Sequence, residues 1–191
     1  MDTDIVEQTE IETLPYPPRD CLNVGCGKVT TEFSPDLGWV NLDRLPLPNV
    51  DVICDVERNG LPFADNSFKD ILLKHVYEHF DNPIPVMEEI YRVAQPGARV
   101  IIIVPYFKHE SAYADPTHKQ FISEGSFAYL DEQYAENNRF TVASPFMTKF
   151  RFKIKAAILV PDKKFASLSP EYRHVIPNFV EQIILTLAAI K

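Results

Sequence analysis

Short apolar runs, each bounded by turn-forming residues, recur along the middle of the chain. They span residues 21–24, 40–42, 50–53, 71–73 and 99–104. Runs this short and this apolar are typical of strands that are buried on both faces of a sheet. Between the last two runs, Ile84, Met87, Ile90, Tyr91 and Ala94 repeat at helical spacing. The flanking prolines, Pro83 or Pro85 before them and Pro96 after, are typical of helix ends. The pattern predicts an α/β fold with a mainly parallel sheet.

The C-terminal third has a different pattern. Apolar residues at 150, 152, 154 and 156 alternate with cationic ones, which predicts a half-buried strand at a protected sheet edge. Residues 139–144 are a candidate partner for it in an antiparallel hairpin. Residues 178–190 are apolar almost throughout, and we predict a helix that packs in the core or forms a homodimer contact.

Length and composition limit the organisation of the chain. Its 191 residues suit one domain. We expect a flexible, acidic and then proline-rich tail over residues 1–19 and a single domain over residues 20–191, with a lid at about 106–138. A net charge of −8 argues against nucleic acid as a partner. Three cysteines without a CxxC pair predict a reducing compartment. Because we find neither a signal peptide nor a run of about 18 apolar residues, we expect no membrane span and a cytoplasmic location.

The first predicted strand runs into a glycine pair. Gly25 and Gly27 are two of only six glycines in the chain, and a glycine there allows a tight turn and a close backbone approach to a ligand. Asp43 ends the second predicted strand, and its carboxylate can accept hydrogen bonds from two ribose hydroxyls. Asp55 follows the third strand, where Val56 offers an apolar face to a ring. In an open α/β sheet these strand ends meet at the ligand crevice, so the order predicts a pocket for an adenosine-containing cofactor.

A dinucleotide is a poor fit to this turn. The G-x-G-x-x-G fingerprint requires a third glycine where this chain has Thr30. Residues 28–38 also leave no room for the usual helix whose N-terminus binds a pyrophosphate. A Walker A sequence is absent, since Lys28 is followed by Val29.

Several segments in order resemble a known family. LNVGCG, GWVNLD, CDV, LPFADNSFKDILLKHVYEHF and MEEIYRVAQPGARVIIIVP are similar to the class I S-adenosylmethionine-dependent methyltransferases, in particular the small type-11-like group. The resemblance covers about residues 20–107. The chain departs from the pattern in loop 28–38, which replaces the usual first helix, and at Ala98, where a second glycine is common.

The resemblance implies a fold and a cofactor. It implies a doubly wound, mainly parallel seven-stranded sheet of the Rossmann-like methyltransferase type, with an antiparallel C-terminal strand. It implies that the glycine pair lies beside the methionine moiety, Asp43 at the ribose, and Asp55 and Val56 at adenine. Lys74 and His75 would lie along the cofactor near the sulfonium. The full candidate cofactor set is Asn23, Gly25, Cys26, Gly27, Asp43, Arg44, Asp55, Val56, Lys74 and His75.

Histidines supply the candidate catalytic groups. His79 follows the fourth predicted strand, and His109 and His118 lie in the loop after the fifth, with Asp115 between them. Histidine suits general base catalysis near neutral pH. The loop histidines and Asp115 fit a catalytic or substrate-binding loop, a metal site, or a turn in which Asp115 caps a helix near Ser123. We assign no metal ligand, and we add Tyr106, at the strand end, as a candidate substrate contact.

The combined prediction is a methyltransferase that uses S-adenosylmethionine and releases S-adenosylhomocysteine. The acceptor would be a small molecule or of glycan type, because the acceptor loops vary within one fold. A non-catalytic binding or regulatory protein with the same fold is the alternative, followed by an NAD-dependent oxidoreductase.

Overall fold

Seven strands form a single sheet in a computed structural model of the chain, which describes residues 19–28, 33–140 and 150–191. In chain order the strands are β1 (Cys21–Val24), β2 (Trp39–Asp43), β3 (Val52–Ile53), β4 (Phe68–Lys74), β5 (Ala94–Pro105), β6 (Phe152–Pro161) and β7 (Val180–Ala189). Their order across the sheet is β3-β2-β1-β4-β5-β7-β6. The predicted α/β fold class is confirmed.

Strand direction and order locate the ligand crevice. Strands β1 to β5 pair in parallel, and β7 is antiparallel to both of its neighbours. The chain builds the sheet outward from β1 through β2 to β3 and then returns to add β4 on the other side of β1. This reversal is the topological switch point of a doubly wound sheet, and ligands bind outside the carboxyl ends of the strands there.

The helices are short, apart from one. They are α1 (Val56–Asn59), α2 (Pro83–Val93), α3 (Ser111–Ala114) and α4 (Glu132–Asn137), with 3₁₀ helices at Pro35–Leu37, Tyr77–His79, Glu124–Leu130, Lys163–Phe165 and Pro170–His174. Among the described residues, no helix is long and apolar enough to cross a bilayer.

Helix α2 is the one that the apolar spacing predicts. The Asn82 side chain accepts a hydrogen bond from the Ile84 N–H and Pro83 occupies the first turn, which is a favourable helix start. The buried face consists of Val86, Met87, Ile90 and Val93. The helix ends at Val93, one residue before Ala94, which is the last apolar position predicted for it, and β5 already begins at Ala94 and passes through Pro96.

The prediction of a helix over residues 178–190 is wrong. This segment contains β7, which lies between β5 and β6, with Ile183, Leu185 and Leu187 fully buried. A strand that is buried on one face and partly covered on the other can be apolar at successive positions, just as a buried helix is, so periodicity does not separate the two. The homodimer contact predicted through such a helix therefore has no structural basis.

The cationic strand is at the sheet edge, as its alternation predicts. Strand β6 is the last strand of the sheet, with Phe152 and Ile154 buried and Lys155 exposed. Its hairpin partner is β7. The predicted partner segment, 139–144, falls largely in residues 141–149, which lie outside the described residues.

Candidate functional site

The turn after β1 depends on two glycines. Gly25 and Gly27 have φ values of +63° and +56°, in the left-handed region that favours glycine. A Cβ at Gly25 would overlap the Val76 side chain, which follows β4. A Cβ at Gly27 would meet no atom within 4 Å. The turn therefore packs tightly against the β4 end at the first glycine and borders open space at the second.

Asp43 fixes this turn to the end of β2. The Gly27 N–H donates to Asp43 Oδ2 at 2.8 Å, and the Leu45 N–H donates to Oδ1 at 2.9 Å. Asp43 is only 8% exposed. Because a carboxylate has about four lone-pair positions, each oxygen retains acceptor capacity for a ligand hydroxyl.

A cavity of about 250 Å³ opens at these strand ends. The described residues that line it are Val24, Gly25, Gly27, Leu42, Asp43, Arg44, Cys54, Asp55, Val56, Glu57, His75, Val76, His79, Phe80 and Thr117. Most of the candidate cofactor residues are thus gathered around one cavity. The Asp55 side chain begins α1 without capping it and lies 3.6 Å from Arg58 Nε.

Three candidate cofactor residues lie outside this lining. Asn23 is buried within the sheet, where its Nδ2 donates to Asn41 Oδ1 at 3.1 Å. Burial and the nearby Asp43 carboxylate raise the pKa of the Cys26 thiol to about 11, so it stays protonated at neutral pH. Lys74 is exposed, with its Nζ 6.0 Å from the centre of the Phe33 ring. Their cofactor roles stay predictions.

The chain turns sharply at the end of β4. His75 adopts a φ of +52°, uncommon for a residue with a side chain, while its N–H donates to the Ile103 carbonyl at 2.9 Å. Such conformations persist where the surrounding structure enforces them, and they concentrate at functional sites. The turn brings His75 to the cavity and leads into the 3₁₀ helix Tyr77–His79.

Hydrogen bonds determine which nitrogen of His79 carries a proton. The Thr117 hydroxyl lies 2.7 Å from Asp115 Oδ1 and 3.0 Å from His79 Nδ1. An ionised carboxylate only accepts, so the single hydroxyl proton goes to Asp115 and His79 Nδ1–H donates to the hydroxyl oxygen. The Thr117 carbonyl, 3.3 Å from the same nitrogen, also requires a donor there. Neutral His79 therefore presents an Nε2 lone pair.

His118 is oriented in the same way. Its Nδ1 lies 3.0 Å from the Ala112 carbonyl, which only accepts, so Nδ1 carries the proton and Nε2 has the lone pair. The two imidazole rings meet edge to face with centres 4.8 Å apart. The structure thus brings together His79, Asp115 and His118 from the candidate catalytic set.

The other two catalytic candidates lie in different surroundings. His109 is buried, with Nδ1 2.7 Å from Ser111 Oγ and Nε2 3.3 Å from Asp162 Oδ2. Tyr106 is buried too, and its hydroxyl donates to Glu124 Oε2 at 3.4 Å. Neither residue lines the cavity. Because His109 is bonded to Asp162 near the end of β6, the metal alternative built on His109, Asp115 and His118 does not hold.

The capping alternative for Asp115 is also wrong. Asp115 Oδ1 accepts from the Thr117 N–H at 2.8 Å, within its own turn. The 3₁₀ helix that follows is capped by a reciprocal pair of hydrogen bonds between Ser123 and Ser126. The hydrogen bonds that Asp115 accepts from the Thr117 backbone N–H and hydroxyl lower the pKa of its carboxyl, and the backbone hydrogen bond has the larger effect.

Sequence reasoning missed Glu78 and Thr117. The Glu78 side chain is 1% exposed, and neither of its carboxylate oxygens has a hydrogen-bond partner among the described residues. A charged residue in a short polar turn is usually solvated, so nothing in the sequence indicates this burial. Thr117 stands between Asp115 and His118, both of them candidates, and could have been included as their neighbour.

Comparisons with known proteins agree with this geometry. Residues 23–102 match the model of a methyltransferase domain family, the type-11 group. Over 90 residues the chain is 32% identical to the ubiquinone/menaquinone biosynthesis C-methyltransferase UbiE of Desulfotalea psychrophila, covering 41% of this chain and 36% of that protein. The chain spans little more than a third of the length of the curated relatives it matches.

Solved structures share the fold over most of the chain. An S-adenosylmethionine-dependent methyltransferase from Archaeoglobus fulgidus superimposes with a TM-score of 0.55 at 18% identity, covering 88% of this chain and 85% of that one. The 1,6-didemethyltoxoflavin-N1-methyltransferase of Burkholderia thailandensis, solved with 1,6-didemethyltoxoflavin and S-adenosylhomocysteine, gives 0.55 at 13% identity, covering 90% and 71%. Residues 23–102 of this chain thus match a type-11 methyltransferase domain, within a sheet that has the fold of the solved S-adenosylmethionine-dependent methyltransferases.

Proposed function

We propose that this protein transfers a methyl group from S-adenosylmethionine to a small-molecule acceptor. The observation that carries the proposal is the convergence of the glycine turn, Asp43, Asp55 and Val56 on one cavity at the switch point of the sheet. When bound, S-adenosylmethionine supplies an electrophilic methyl group on a sulfonium. The chain's own residues bind and orient the two reactants, and such positioning contributes up to about 7–11 kcal/mol in favourable systems.

The residues present fit an adenosine-containing ligand. Asp43 keeps lone pairs free of its two backbone donors and can accept from two ribose hydroxyls. The open space at Gly27 admits a ligand against the backbone. Val56, 8% exposed, offers an apolar contact for a purine ring, and Asp55 a carboxylate for its amino group.

Isothermal titration calorimetry tests the cofactor. We expect S-adenosylmethionine and S-adenosylhomocysteine to bind with one site per chain, and NAD to give no heat above its dilution. Binding of NAD together with no response to S-adenosylhomocysteine would overturn the proposal and favour an oxidoreductase. Saturable cofactor binding without turnover on any acceptor would instead favour a non-catalytic binding protein.

A small-molecule acceptor is supported by an exposed aromatic pair in the segment that contains Thr117, as well as by the relatives. Tyr113 and Phe121 are 60% and 50% exposed and stack with ring centres 4.8 Å apart and an interplanar angle of 20°. In the sequence they lie four residues before and four residues after Thr117, which lines the cavity. Exposed aromatic rings of this kind favour a flat or apolar partner. The name of the UbiE relative, a C-methyltransferase of quinone biosynthesis, points to the same class of acceptor.

An acceptor panel tests this class. Formation of S-adenosylhomocysteine would be measured with quinol-type compounds, heteroaromatic amines and free sugars. We expect turnover with a flat aromatic acceptor, and a higher KM for it in the double variant Tyr113→Ala/Phe121→Ala. Turnover with the sugars alone would favour the glycan-type acceptor instead.

We propose that the acceptor binds beside the histidine cluster. His79 and Thr117 line the cavity, and His118 contacts His79. The Nε2 lone pairs of the two histidines are the atoms through which the cluster would act on an acceptor that must lose a proton. A general base contributes roughly 10²–10⁴-fold, so we propose His79 and His118 as catalytic residues and Asp115 as a residue that positions them.

A further inference from the structure

We propose that Glu78, His79 and His118 form a site for a divalent transition-metal cation beside the cavity. Their ligand atoms, one carboxylate oxygen and two imidazole nitrogens, all lie within 4.8 Å of one another. Two imidazoles and a carboxylate are a donor set for ions such as Zn²⁺, Fe²⁺ or Co²⁺. The trio shares only His118 with the one considered from the sequence, because Glu78 and His79 replace His109 and Asp115.

The orphaned carboxylate of Glu78 is the first observation. Its side chain is 1% exposed and its oxygens lack hydrogen bonds among the described residues. Burial of a carboxylate is costly unless it is paired, hydrogen-bonded or bound to a metal. Its nearest cationic candidates, His118 Nε2 at 4.0 Å and His75 Nδ1 at 3.4 Å, do not make hydrogen bonds to it. A cation between Glu78 and the two histidines would compensate this charge.

The second observation is that both imidazoles use Nδ1 in a hydrogen bond within the protein. His118 donates its Nδ1–H to the Ala112 carbonyl, and His79 donates its Nδ1–H to Thr117. Metal-bound histidines are held in this way, with the distal N–H given to a carbonyl or a hydrogen-bonded group, and the other nitrogen is left for the metal. Asp115 completes the arrangement for His79 by accepting the Thr117 hydroxyl proton.

The three ligand atoms are near enough to converge on one cation. Metal–nitrogen and metal–oxygen bonds of about 2.0–2.2 Å place the ligand atoms of a tetrahedral ion about 3.3–3.6 Å apart. The trio, within 4.8 Å, therefore has to contract by up to about 1.5 Å, which rotations of the side chains supply. Three protein ligands leave a coordination position for water or substrate.

The position of the site suggests what would occupy that open coordination position. His79 lines the cavity, so a ligand of the cation can enter from there. We infer that an oxygen atom of the acceptor takes this place. Because the cation would occupy the Nε2 lone pairs of His79 and His118, it would replace them as general bases and instead favour loss of the acceptor proton by lowering the pKa of the bound oxygen. This step alone rests on the proposed methyltransferase function. The binding of the cation itself stands apart from that function.

Metal titration of the full chain tests the site. After chelator treatment, Zn²⁺ binding is measured by competition with a chromophoric indicator, and Co²⁺ binding by its visible absorption spectrum. We expect one ion per chain for both. Mg²⁺, which prefers oxygen ligands, is expected not to compete. No binding of Zn²⁺ or Co²⁺ would overturn the proposal and leave a protonated histidine as the partner of Glu78.

Variants separate this site from adventitious binding. Glu78→Gln and His118→Ala are expected to weaken Zn²⁺ binding at least about 100-fold, and Thr117→Val about 10–100-fold, as loss of a supporting hydrogen bond does. Cys54→Ser removes a thiol that lines the same cavity, and Asp81→Asn removes an exposed carboxylate nearby, so both should bind as the parent does. Equal binding by all five variants would place the ion elsewhere and overturn the proposal. Circular dichroism establishes that each variant is folded.

Binding of the acceptor to the cation is tested separately, by turnover with and without metal. Chelator-treated enzyme that retains S-adenosylhomocysteine affinity but regains turnover only with added metal would support metal-assisted acceptor binding. Metal binding with unchanged turnover would overturn that step and leave the site itself in place. Absence of cofactor binding would overturn the proposed function without affecting the metal titration.

Discussion

The Gly27 N–H donates to Asp43 Oδ2 at 2.8 Å and thereby joins the turn after β1 to the end of β2. The Asp43 carboxylate therefore holds two elements of the fold together and also offers acceptor positions to a ligand. A strand-end acid is usually exposed, and from the sequence we expect its removal to leave the fold intact. At 8% exposure, with two backbone donors, Asp43 contributes to stability as well.

Replacement of Asp43 should therefore affect binding and stability together. In Asp43→Ala the N–H groups of Gly27 and Leu45 lose their acceptor, which costs about 0.5–1.5 kcal/mol for each hydrogen bond. We expect S-adenosylhomocysteine affinity to fall at least about 10-fold, the cost of roughly 1.4 kcal/mol. Calorimetry and urea unfolding measure the two effects. Asp36→Asn, an exposed acid ahead of β2, is the control, and unchanged affinity in Asp43→Ala would contradict the ribose assignment.

The two glycines of the turn should respond differently to alanine. Both have positive φ, a conformation that costs an alanine about 1–2 kcal/mol. Gly25→Ala also creates an overlap with Val76, so we expect a loss of unfolding free energy well above this range. Gly27→Ala should stay within it but reduce cofactor affinity, because the new methyl group occupies the open space. Chemical denaturation and calorimetry on the pair test this, and equal destabilisation by both would contradict the packing described for Gly25.

Much of this site follows from sequence order, because the carboxyl ends of parallel strands meet at one edge of the sheet. Gly27, Asp43 and Asp55 each follow a short apolar run, and local patterns of this kind predict both the strand and the position of its end. The burial of Glu78 depends on what packs around the Tyr77–His79 turn from residues 117–120, and no local pattern contains that information.

The predictions that were wrong failed for the same reason, because they depended on contacts between distant parts of the chain. Residues 178–190 form a strand because β5 and β6 provide partners on both sides, and composition alone does not distinguish such a strand from a buried helix. His109 and His118 lie in one loop, nine positions apart, yet His109 pairs with Asp162 while His118 contacts His79. Sequence spacing cannot separate two histidines whose partners come from distant parts of the chain.

Asp162 should make stability depend on pH. Hydrogen bonds from the Lys164 backbone N–H and side chain, and then from His109, lower the pKa of Asp162 to about 2. A carboxyl with a depressed folded-state pKa stabilises the fold above its unfolded value of about 3.9, and this stabilisation is lost as pH falls toward about 2. The difference in unfolding free energy between the parent and Asp162→Asn should therefore be constant above about pH 5 and shrink below pH 4. Urea unfolding between pH 2 and 6 measures it, and a difference that does not change with pH would contradict the assignment.

The role of His109 can be separated from catalysis. If His109 serves to hold its loop to Asp162, His109→Gln should lower the unfolding free energy by about 1 kcal/mol, the ordinary value of a hydrogen bond. S-adenosylhomocysteine affinity and kcat should be unchanged within about twofold. His79→Ala is the contrast, since it removes a ring that lines the cavity and should lower kcat more than cofactor affinity. A loss of kcat in His109→Gln comparable to that in His79→Ala would return His109 to the catalytic set.

The Asp115–Thr117–His79 chain allows orientation to be tested apart from binding. Thr117→Val keeps the size of the side chain but removes the hydroxyl that accepts from His79 Nδ1–H. The carbonyl of residue 117, at 3.3 Å, then becomes the sole acceptor, and this longer hydrogen bond should hold the Nδ1-protonated tautomer less completely. We expect kcat to fall about 10-fold while S-adenosylhomocysteine affinity is unchanged, since His79 acts toward the acceptor. Nitrogen-15 NMR of the imidazole reports the tautomer directly, and a merely structural role would not move it. If His79 remains Nδ1-protonated in Thr117→Val and kcat is nonetheless reduced, positioning by the hydroxyl is contradicted. Thr117→Ser keeps the hydroxyl, so it should retain both the tautomer and the kcat of the parent.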